Sequence, residues 1–287
     1  MKRGSPLAIG SMCRLLGVSR AGYYRRAAAP RCGEMPLRDE VQRVAMKWPI
    51  YGSRRITAEL QRGGWQVNRK RVQRLMREDN LLCLRKRKFV VTSDSAHGWR
   101  VYPNLAASLV MTTINQLWLA DITYIRLLEE FIYLAVILDA FSRRAIGWAL
   151  EQRLETSLTL SALAMALEQR RPAAGLVHHS DRGVQYASQD YVAVLEMHQI
   201  RISMSRPANP WDNATCESFM KTLKCEEVYR SEYRNLADAR LRISDFLDQV
   251  YNQKRLHSAL GYRPPVEFEQ MQQLSGNQRR LLPEDRT

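Results

Sequence analysis

The chain has 287 residues, enough for about two domains that each bury a core. Its content of 45% hydrophobic and 25% charged residues is ordinary for a globular protein and argues against extensive disorder. The five cysteines are scattered without a CxxC pair, so they indicate neither a disulfide framework nor a zinc finger, and a reducing cytoplasm suits them. No apolar run is long enough to cross a bilayer, and the basic N-terminus lacks the apolar core of a secretory signal.

The net charge of +15 is concentrated in the first third of the chain. Residues 1–100 contain 23 Lys and Arg against 7 Asp and Glu, whereas residues 101–287 contain 21 against 22. A basic module joined to a neutral one is typical of a nucleic-acid anchor followed by a catalytic body. A solubility tail is the plainer alternative.

The first segment of the chain, residues 1–30, is predicted to form a short helix-turn-helix. Residues 7–26 read as two short helices with Gly17 in the turn and Ser19 as the N-cap of the second helix. A plain helical hairpin fits the same pattern. Residues 31–36 contain Gly33 and Pro36 and are predicted to be a linker.

Residues 37–92 are predicted to form a basic helical DNA-binding domain. A first helix repeats apolar residues from Leu37, a second is expected to be capped by Ser53, and a third by Asn68. Basic side chains surround the apolar stripe of the third helix, which therefore suits a DNA major groove, although a solvated basic helix is the alternative. The cations expected to contact DNA are Arg54, Arg55, Arg69, Lys70, Arg71 and Arg74, and the basic run 85–88 is expected to follow phosphates.

Residues 108–270 are predicted to form an α/β catalytic core. Three strands in meander order are followed by alternating helices and strands, which implies a mixed sheet covered by helices. A further amphipathic helix is expected over residues 236–252, and residues 271–287 are expected to be a frayed polar tail. The predicted elements are strands over 117–127, 131–138, 145–150, 176–179 and 200–204, and helices over 156–170, 188–198 and from Asp212 or Asn213 to about 228.

Three acidic residues stand out because of where they lie. Asp121 interrupts an apolar strand, where a carboxylate is costly to bury unless it is paired or binds a metal. Asp181 follows another apolar strand, and Glu217 lies one turn into a helix. Each alone has a structural explanation, since Asp181 could form a turn and Glu217 could favour a helix N-terminus.

Taken together, the three residues resemble a known catalytic triad, because 35 positions separate Asp181 from Glu217. This spacing is similar to the D, D-35-E triad of the retroviral integrase superfamily, which has a ribonuclease H-like fold. The chain resembles still more closely the second-frame (OrfB) transposases of the bacterial insertion sequence three family, over about residues 7–270. The motifs that carry this resemblance are Tyr51-Gly52-Ser53-Arg54-Arg55-Ile56, Ala120-Asp121-Ile122-Thr123-Tyr124, Leu138-Asp139-Ala140-Phe141-Ser142-Arg143-Arg144, His179-Ser180-Asp181-Arg182-Gly183-Val184-Gln185-Tyr186, Asp212-Asn213-Ala214 with Glu217-Ser218-Phe219, and Tyr251-Asn252 with Arg255, His257-Ser258-Ala259-Leu260-Gly261-Tyr262 and Pro264.

The resemblance implies a DDE transposase that cuts and joins DNA with divalent metal ions. Hard cations such as Mg²⁺ or Mn²⁺ prefer carboxylate oxygens, and two ions can serve the attacking and leaving oxygens. Asp121 would bridge both ions, with Asp181 on one and Glu217 on the other. The family also joins one element end to the other first, which gives a circular intermediate.

The partners that this reading implies are double-stranded DNA, both the terminal inverted repeats of the element and the target. A homo-oligomer on DNA is expected, as is an upstream-frame protein (OrfA) or a frameshift fusion with it, in the cytoplasm with the nucleoid and without a membrane. Two alternatives remain open. One is a non-catalytic DNA-binding regulator, which leaves the acidic triad unexplained, and the other is a simple ribonuclease H-type nuclease that does not join strands.

Four further residues are candidates for supporting roles. Lys221 and Lys224 follow Glu217 by four and seven residues, so all three share one helix face, and the lysines are expected to contact DNA. An ordinary solvated helix is the alternative. His179 alternates with Asp181 and could touch phosphate or pack within its strand, and its pairing with His178 makes a poor zinc site. For Asp139, turn formation is favoured over metal binding.

Overall fold

The computed structural model describes residues 8–17, 19–21, 34–81, 100–127, 130–206 and 210–281. The chain divides into two compact units, Met1–Leu84 and Arg85–Thr287. Most of the second helix predicted within residues 7–26 lies outside the described residues, and so does the basic run 85–88. Within the described part, no helix is both long and apolar enough to span a bilayer.

The N-terminal unit consists of helices, as the periodicity predicted. They are α1 (Ile9–Leu15), α2 (Met35–Lys47), α3 (Ser53–Arg62) and α4 (Arg69–Glu78). Helices α2, α3 and α4 contact one another through their apolar stripes, and the stripe of α4 is the predicted set of Val72, Leu75 and Met76. The three-helix arrangement therefore leaves the polar faces of these helices outward.

The two predicted helix caps have different outcomes. The Asn68 side chain accepts a hydrogen bond from the Arg71 backbone N–H at 2.9 Å, so its predicted role as the N-cap of α4 is confirmed. The expectation that Ser53 caps α3 is wrong. Gly52 occupies the N-cap position, because its carbonyl accepts the helical hydrogen bond from Ile56, and Ser53 is already the first helical residue.

The C-terminal unit is built on a five-stranded mixed sheet. Its strands are β1 (Leu117–Arg126), β2 (Phe131–Asp139), β3 (Ala145–Glu151), β4 (Val177–Ser180) and β5 (Arg201–Met204). The spatial order is β3-β2-β1-β4-β5, with β1–β2 and β2–β3 antiparallel and β1–β4 and β4–β5 parallel. The predicted α/β fold with a mixed sheet is confirmed, and β1 lies at the centre.

Helices connect and cover these strands. The helix predicted over residues 188–198 is confirmed, with the Ser188 side chain as its N-cap, and a short helix over Val184–Ala187 that the sequence did not predict precedes it. The last helix extends to Leu281, past residue 271, where a polar tail was expected to begin. The helices are α5 (Thr156–Arg170), α6 (Val184–Ala187), α7 (Gln189–Met197), α8 (Ala214–Glu226), α9 (Leu236–Asp245, continuing as a π-helical turn Phe246–Tyr251) and α10 (Pro265–Leu281).

Both faces of the sheet are buried, because side chains of β1 alternate between two hydrophobic clusters. Leu117 and Leu119 pack with residues of α8 and α9 on one face. Trp118 and Ala120 pack with residues of α5 and α7 on the other. By the same alternation, Asp121 lies on the face that α8 covers.

The contact between α5 and β3 is close enough to require a glycine. A Cβ atom added at Gly147 would lie 2.3 Å from the Ala162 carbonyl oxygen and 2.8 Å from the Ala166 Cβ. The first of these atoms belongs to the backbone, so a side chain at this position would push α5 away from the sheet.

Gly147→Ala is therefore expected to lower the free energy of unfolding of the C-terminal unit by roughly 1–3 kcal/mol through overpacking. Chemical denaturation followed by circular dichroism measures this change. Gly10→Ala is the matched control, because a Cβ at that helical position meets no atom within 4 Å. Equal stability of Gly147→Ala and wild type would show that α5 can shift freely.

Candidate active site

Asp121 and Asp181 lie side by side because of the strand register. Strand β4 pairs with β1 in parallel, with Leu119 opposite His179. Two residues further along come Asp121, within β1, and Asp181, just past the end of β4, and continuation of the same register puts them at one level and on one face. Asp121 Oδ1 accepts the Ile122 backbone N–H at 2.9 Å, and Asp181 Oδ1 accepts that of Gly183 at 3.0 Å.

Glu217 is supplied by helix α8. It lies in the first turn of this helix, which contacts β1, and its side chain is exposed. At the helix N-terminus the buried Asn213 donates from Nδ2 to the Ala120 carbonyl at 3.4 Å. This contact ties the start of α8 to the residue that precedes Asp121.

Asp121 interacts electrostatically with both Asp181 and Glu217. Burial and the negative charge of Asp181, with a smaller effect of Glu217, raise the pKa of Asp121 to about 7. The Ile122 N–H and the positive charge of Lys224 oppose this rise. Within the described parts of the chain, no three His, Cys, Asp or Glu side chains converge closely enough to form a ready-made metal site.

Lys224 is placed beside the carboxylates, whereas Lys221 is not buried. The Lys224 side chain is buried, and its Nζ lies 4.8 Å from the centroid of the Tyr124 ring. Burial lowers the pKa of Lys224, and the charge of Asp121 opposes this effect. Lys221 is exposed on the same helix. Tyr124 was missed from the sequence, although its place on the same strand as Asp121 was a usable signal.

His179 is accounted for by packing within its strand, one of the two roles that the sequence left open. The side chain is fully buried, with Nδ1 at 2.8 Å from Ser203 Oγ and Nε2 at 3.0 Å from Ser205 Oγ. Burial lowers the pKa of His179 to about 4, so the ring is neutral at physiological pH. A neutral ring with both nitrogens engaged by hydroxyls is poorly suited to bind phosphate.

Asp139 has the turn role that the sequence favoured. It is fully buried and accepts hydrogen bonds from the backbone N–H groups of Asn115, Phe141 and Ser142 at 2.7–3.0 Å. Burial raises the pKa of Asp139 despite these bonds. Three backbone donors on one carboxylate are typical of a structural turn residue.

The basic residues predicted to contact DNA are not equivalent in the N-terminal unit. Arg69 and Lys70 are exposed at the start of α4. Arg71 and Arg74 both form ion pairs with the nearly buried Glu34, and Arg74 also pairs with Glu78 at 3.0 Å. The pairing with Glu34, which sequence reasoning missed, neutralises part of their charge.

The remaining predicted contacts lie on α3. Arg54 is exposed, and the Arg55 guanidinium lies over the ring of Tyr51, 5.4 Å from its centroid. Stacking on an aromatic ring fixes the direction of the Arg55 side chain. Arg54 thus resembles Arg69 and Lys70 in being freely accessible to solvent.

The pKa of Asp121 leads to a prediction about stability without metal. Because its pKa of about 7 lies above the usual 3.8, the folded protein retains a proton that the unfolded chain loses, and stability falls as pH rises through this window. An asparagine at this position cannot ionise. Asp121→Asn should therefore raise the free energy of unfolding more at pH 8 than at pH 5, by roughly 1–3 kcal/mol. Urea unfolding in EDTA at both pH values measures the difference.

Asp190→Asn is the control for this measurement, since Asp190 is exposed on α7 in the same unit. Its effect should not change between the two pH values in the way that Asp121→Asn does. If Asp121→Asn has the same effect at pH 5 and pH 8, the pKa of Asp121 is not raised in the folded protein.

Comparison with known proteins gives matches along almost the entire chain. Residues 112–210 and 198–265 match the integrase core domain, and residues 34–89 match an HTH-like domain. An uncharacterized 31 kDa protein of insertion element IS600 from Shigella sonnei is 39% identical over 263 residues, covering 90% of this chain and 97% of that protein. The transposase InsF of insertion sequence IS3A from Escherichia coli is 36% identical over 276 residues, covering 93% and 96%.

Solved structures of integrases also align with the chain. A cryoEM structure of the simian T-cell lymphotropic virus intasome has a TM-score of 0.46 at 15% identity, covering 86% of this chain and 76% of that one. The catalytic core domain of HTLV-2 integrase in complex with magnesium has a TM-score of 0.42 at 17% identity, covering 55% and 97%.

Proposed function

The chain belongs to the family of insertion-sequence transposases that includes InsF of IS3, and we propose that it cleaves and joins DNA strands with Asp121, Asp181 and Glu217. A transposase of this kind first opens a phosphodiester at an element end by attack of water, which leaves a 3′-hydroxyl. That hydroxyl then attacks a second phosphodiester. Each step exchanges one phosphorus–oxygen bond for another, so no nucleotide cofactor is needed.

The observation that carries this proposal is the electrostatic coupling of three carboxylates at one edge of the sheet. The strand register favours a position of Asp121 beside Asp181, α8 supplies Glu217, and burial together with the charges of these two residues raises the pKa of Asp121. Titratable groups perturbed by burial and by like charge cluster at functional sites. A DNA-binding regulator has no use for such an arrangement, which costs stability.

The donor set fits divalent cations, because mutually repelling carboxylate oxygens are the ligands that Mg²⁺ and Mn²⁺ prefer. Asp121 and Asp181 would hold the first ion, and Asp121 with Glu217 would hold a second. Two such ions would supply activation of the attacking oxygen and stabilisation of the leaving one. The exposed Glu217 side chain can change rotamer to approach Asp121, whereas the two aspartates are fixed by backbone N–H groups.

Lys224 supports binding of DNA beside the carboxylates. Its buried ammonium lies against Tyr124 and within the field of Asp121, on the helix that carries Glu217. A cation in that place can hold the phosphate next to the one that is cut, and so orient the strand across the site. Lys221, exposed one turn nearer to Glu217, would contact the same backbone from outside.

The N-terminal unit is proposed to anchor the DNA. Its match to an HTH-like domain, the basic charge of residues 1–100 and the exposed cations of α4 support this role. The duplex bound there would be the terminal inverted repeats of the element, with target DNA bound at the catalytic unit. Assembly of several copies on DNA, an upstream-frame partner or fusion, Mg²⁺ as the physiological ion, and a cytoplasmic location with the nucleoid complete the proposal.

Substitution of the triad tests this function. Asp121→Asn, Asp181→Asn and Glu217→Gln each remove a ligand charge and should reduce both nicking and joining to background, because the three residues act as one unit. The assay uses a labelled duplex carrying one end of the element, with Mg²⁺, and resolves nicked and joined products on a denaturing gel. Nicking without joining by the wild-type protein would favour a simple nuclease.

Glu196→Gln provides the matched control, because Glu196 is an exposed glutamate on helix α7 of the same unit. It should nick and join like wild type. DNA binding of all four variants, measured by fluorescence anisotropy without metal, should be retained. Wild-type nicking by any variant of the triad removes that residue from the site.

The basic residues of α4 differ in their ion pairing with Glu34, and this difference gives a second test. Replacing Arg69 and Lys70 with Gln should reduce the dependence of log K on log salt by roughly one unit for each lost phosphate contact. Replacing Arg71 and Arg74 with Gln removes the same charge but should reduce it less, since Glu34 already pairs with both. Binding titrations over a series of KCl concentrations measure both slopes, and a larger effect of the second pair would place the DNA on the Glu34 side.

A further inference from the structure

A set of hydrogen bonds fixes the turn that connects β2 and β3. Asp139 at its start is fully buried, and its carboxylate accepts the backbone N–H groups of Phe141 and Ser142 across the turn. The Asp139 N–H donates to the Arg144 carbonyl at 2.9 Å, and the Arg143 N–H donates to the Asp139 carbonyl at 2.8 Å. These bonds fix the backbone of the whole turn.

Arg143 lies in this turn with a left-handed backbone, at φ 61°. This conformation suits glycine and is unfavourable for a residue with a long side chain. Glycine would fit the turn with less strain, so the turn itself does not explain an arginine. Strained residues persist only where the surrounding structure holds them, and they cluster at functional sites. The contacts of the Arg143 side chain are therefore the place to look for a reason.

The Arg143 side chain crosses to helix α8. Its NH1 group donates a hydrogen bond to Thr215 Oγ1 at 2.7 Å. Thr215 lies in the first turn of α8, two residues before Glu217.

The stability of α8 does not account for this contact. A cation beside a helix N-terminus opposes the helix dipole, so Arg143 is unfavourable there unless negative charge is near. Glu217 supplies such a charge in the same turn. A guanidinium at this place can therefore orient the turn that carries the carboxylate.

We propose that Arg143 is a positioning residue of the active site, whose contact with Thr215 holds the first turn of α8 so that Glu217 faces Asp121 and Asp181. The inference rests on the proposed function of these three carboxylates. Arg143 acts through Thr215 and Glu217 and does not touch the reacting atoms.

Arg144 allows a specific test of this proposal, because it is the adjacent arginine of the same turn and has a different partner. Its guanidinium donates to the buried Glu269 of α10 at 2.7 Å. Loss of Arg144 removes the same charge but leaves the Arg143–Thr215 contact in place. It is the matched control for a general effect of charge or of folding.

The first experiment compares Arg143→Gly with Arg144→Ala. Arg143→Gly relieves the left-handed strain, so its Tm should equal or exceed that of wild type. Its rate of nicking at saturating DNA should fall by roughly tenfold or more, since misplacement of a reacting group by about 1 Å can cost a hundredfold. Its KM for DNA should stay near the wild-type value. Arg144→Ala should lower the Tm and leave the nicking rate of the folded protein nearly unchanged.

The second experiment tests whether Arg143 acts through Thr215. Thr215→Val removes the acceptor and should also slow nicking, and the double variant with Arg143→Gly should be no slower than Arg143→Gly alone. Arg143→Lys keeps a donor on the turn and should restore part of the rate. Additive losses in the double variant, or a loss of DNA affinity in place of rate, would assign Arg143 to DNA contact and overturn the proposal.

A third readout separates this inference from the proposed function. Mn²⁺ added without DNA should raise the Tm of the wild-type protein, and it should raise that of Arg143→Gly less, because Glu217 is displaced. Wild-type nicking by the triad variants would overturn the proposed function while this comparison still tests the position of Glu217. Wild-type nicking together with a wild-type Mn²⁺ shift in Arg143→Gly would overturn the role of Arg143.

Discussion

The burial of one carboxylate, Asp121, beside a second, Asp181, is the constraint on which the C-terminal unit depends. The register of β1 and β4 brings Asp121 and Asp181 to the same side of the sheet, because a shift of the pairing by one residue would turn a side chain to the other face. Asp121 is held at this place with a pKa near neutrality. The folded protein therefore bears a cost at the position where it needs negative charge.

The rest of the unit compensates for that cost through apolar packing on both faces of the sheet. Strand β1, which carries Asp121, is central and contributes Trp118 to one core and Leu119 to the other, and both are nearly inaccessible to solvent. Helix α5 lies so close to β3 that only a glycine fits between them at position 147. Because helices pack against both faces of the sheet, its strands cannot easily move apart. The free-energy cost at the carboxylates is therefore not relieved.

The sequence predicts those features that depend on local pattern or on spacing. The strands, the three-helix basic unit and the cap at Asn68 follow from periodicity and from neighbouring residues. The acidic triad follows from the 35 positions between Asp181 and Glu217 together with the family motifs, and the family itself is confirmed by the relatives.

Features that depend on contacts between residues far apart in the chain were not predicted from the sequence. The ion pairs of Arg71 and Arg74 join α4 to Glu34, some forty positions earlier, and no local pattern signals them. The hydroxyls that engage His179 come from Ser203 and Ser205, beyond an intervening helix. The start of α3 at Ser53 was misjudged for another reason, since glycine can serve as an N-cap with its backbone alone.

The distribution of charge assigns different tasks to the two units. At the proposed active site the three carboxylates of Asp121, Asp181 and Glu217 outnumber the nearby cations Lys224 and Arg143. The site by itself is therefore not attractive to DNA, and residues 101–287 as a whole carry no positive excess. In the proposed function, affinity would come from the basic first third of the chain, which would hold the duplex through its phosphates. The carboxylates can then remain mutually repelling, because the energy that brings DNA to them is supplied elsewhere in the molecule.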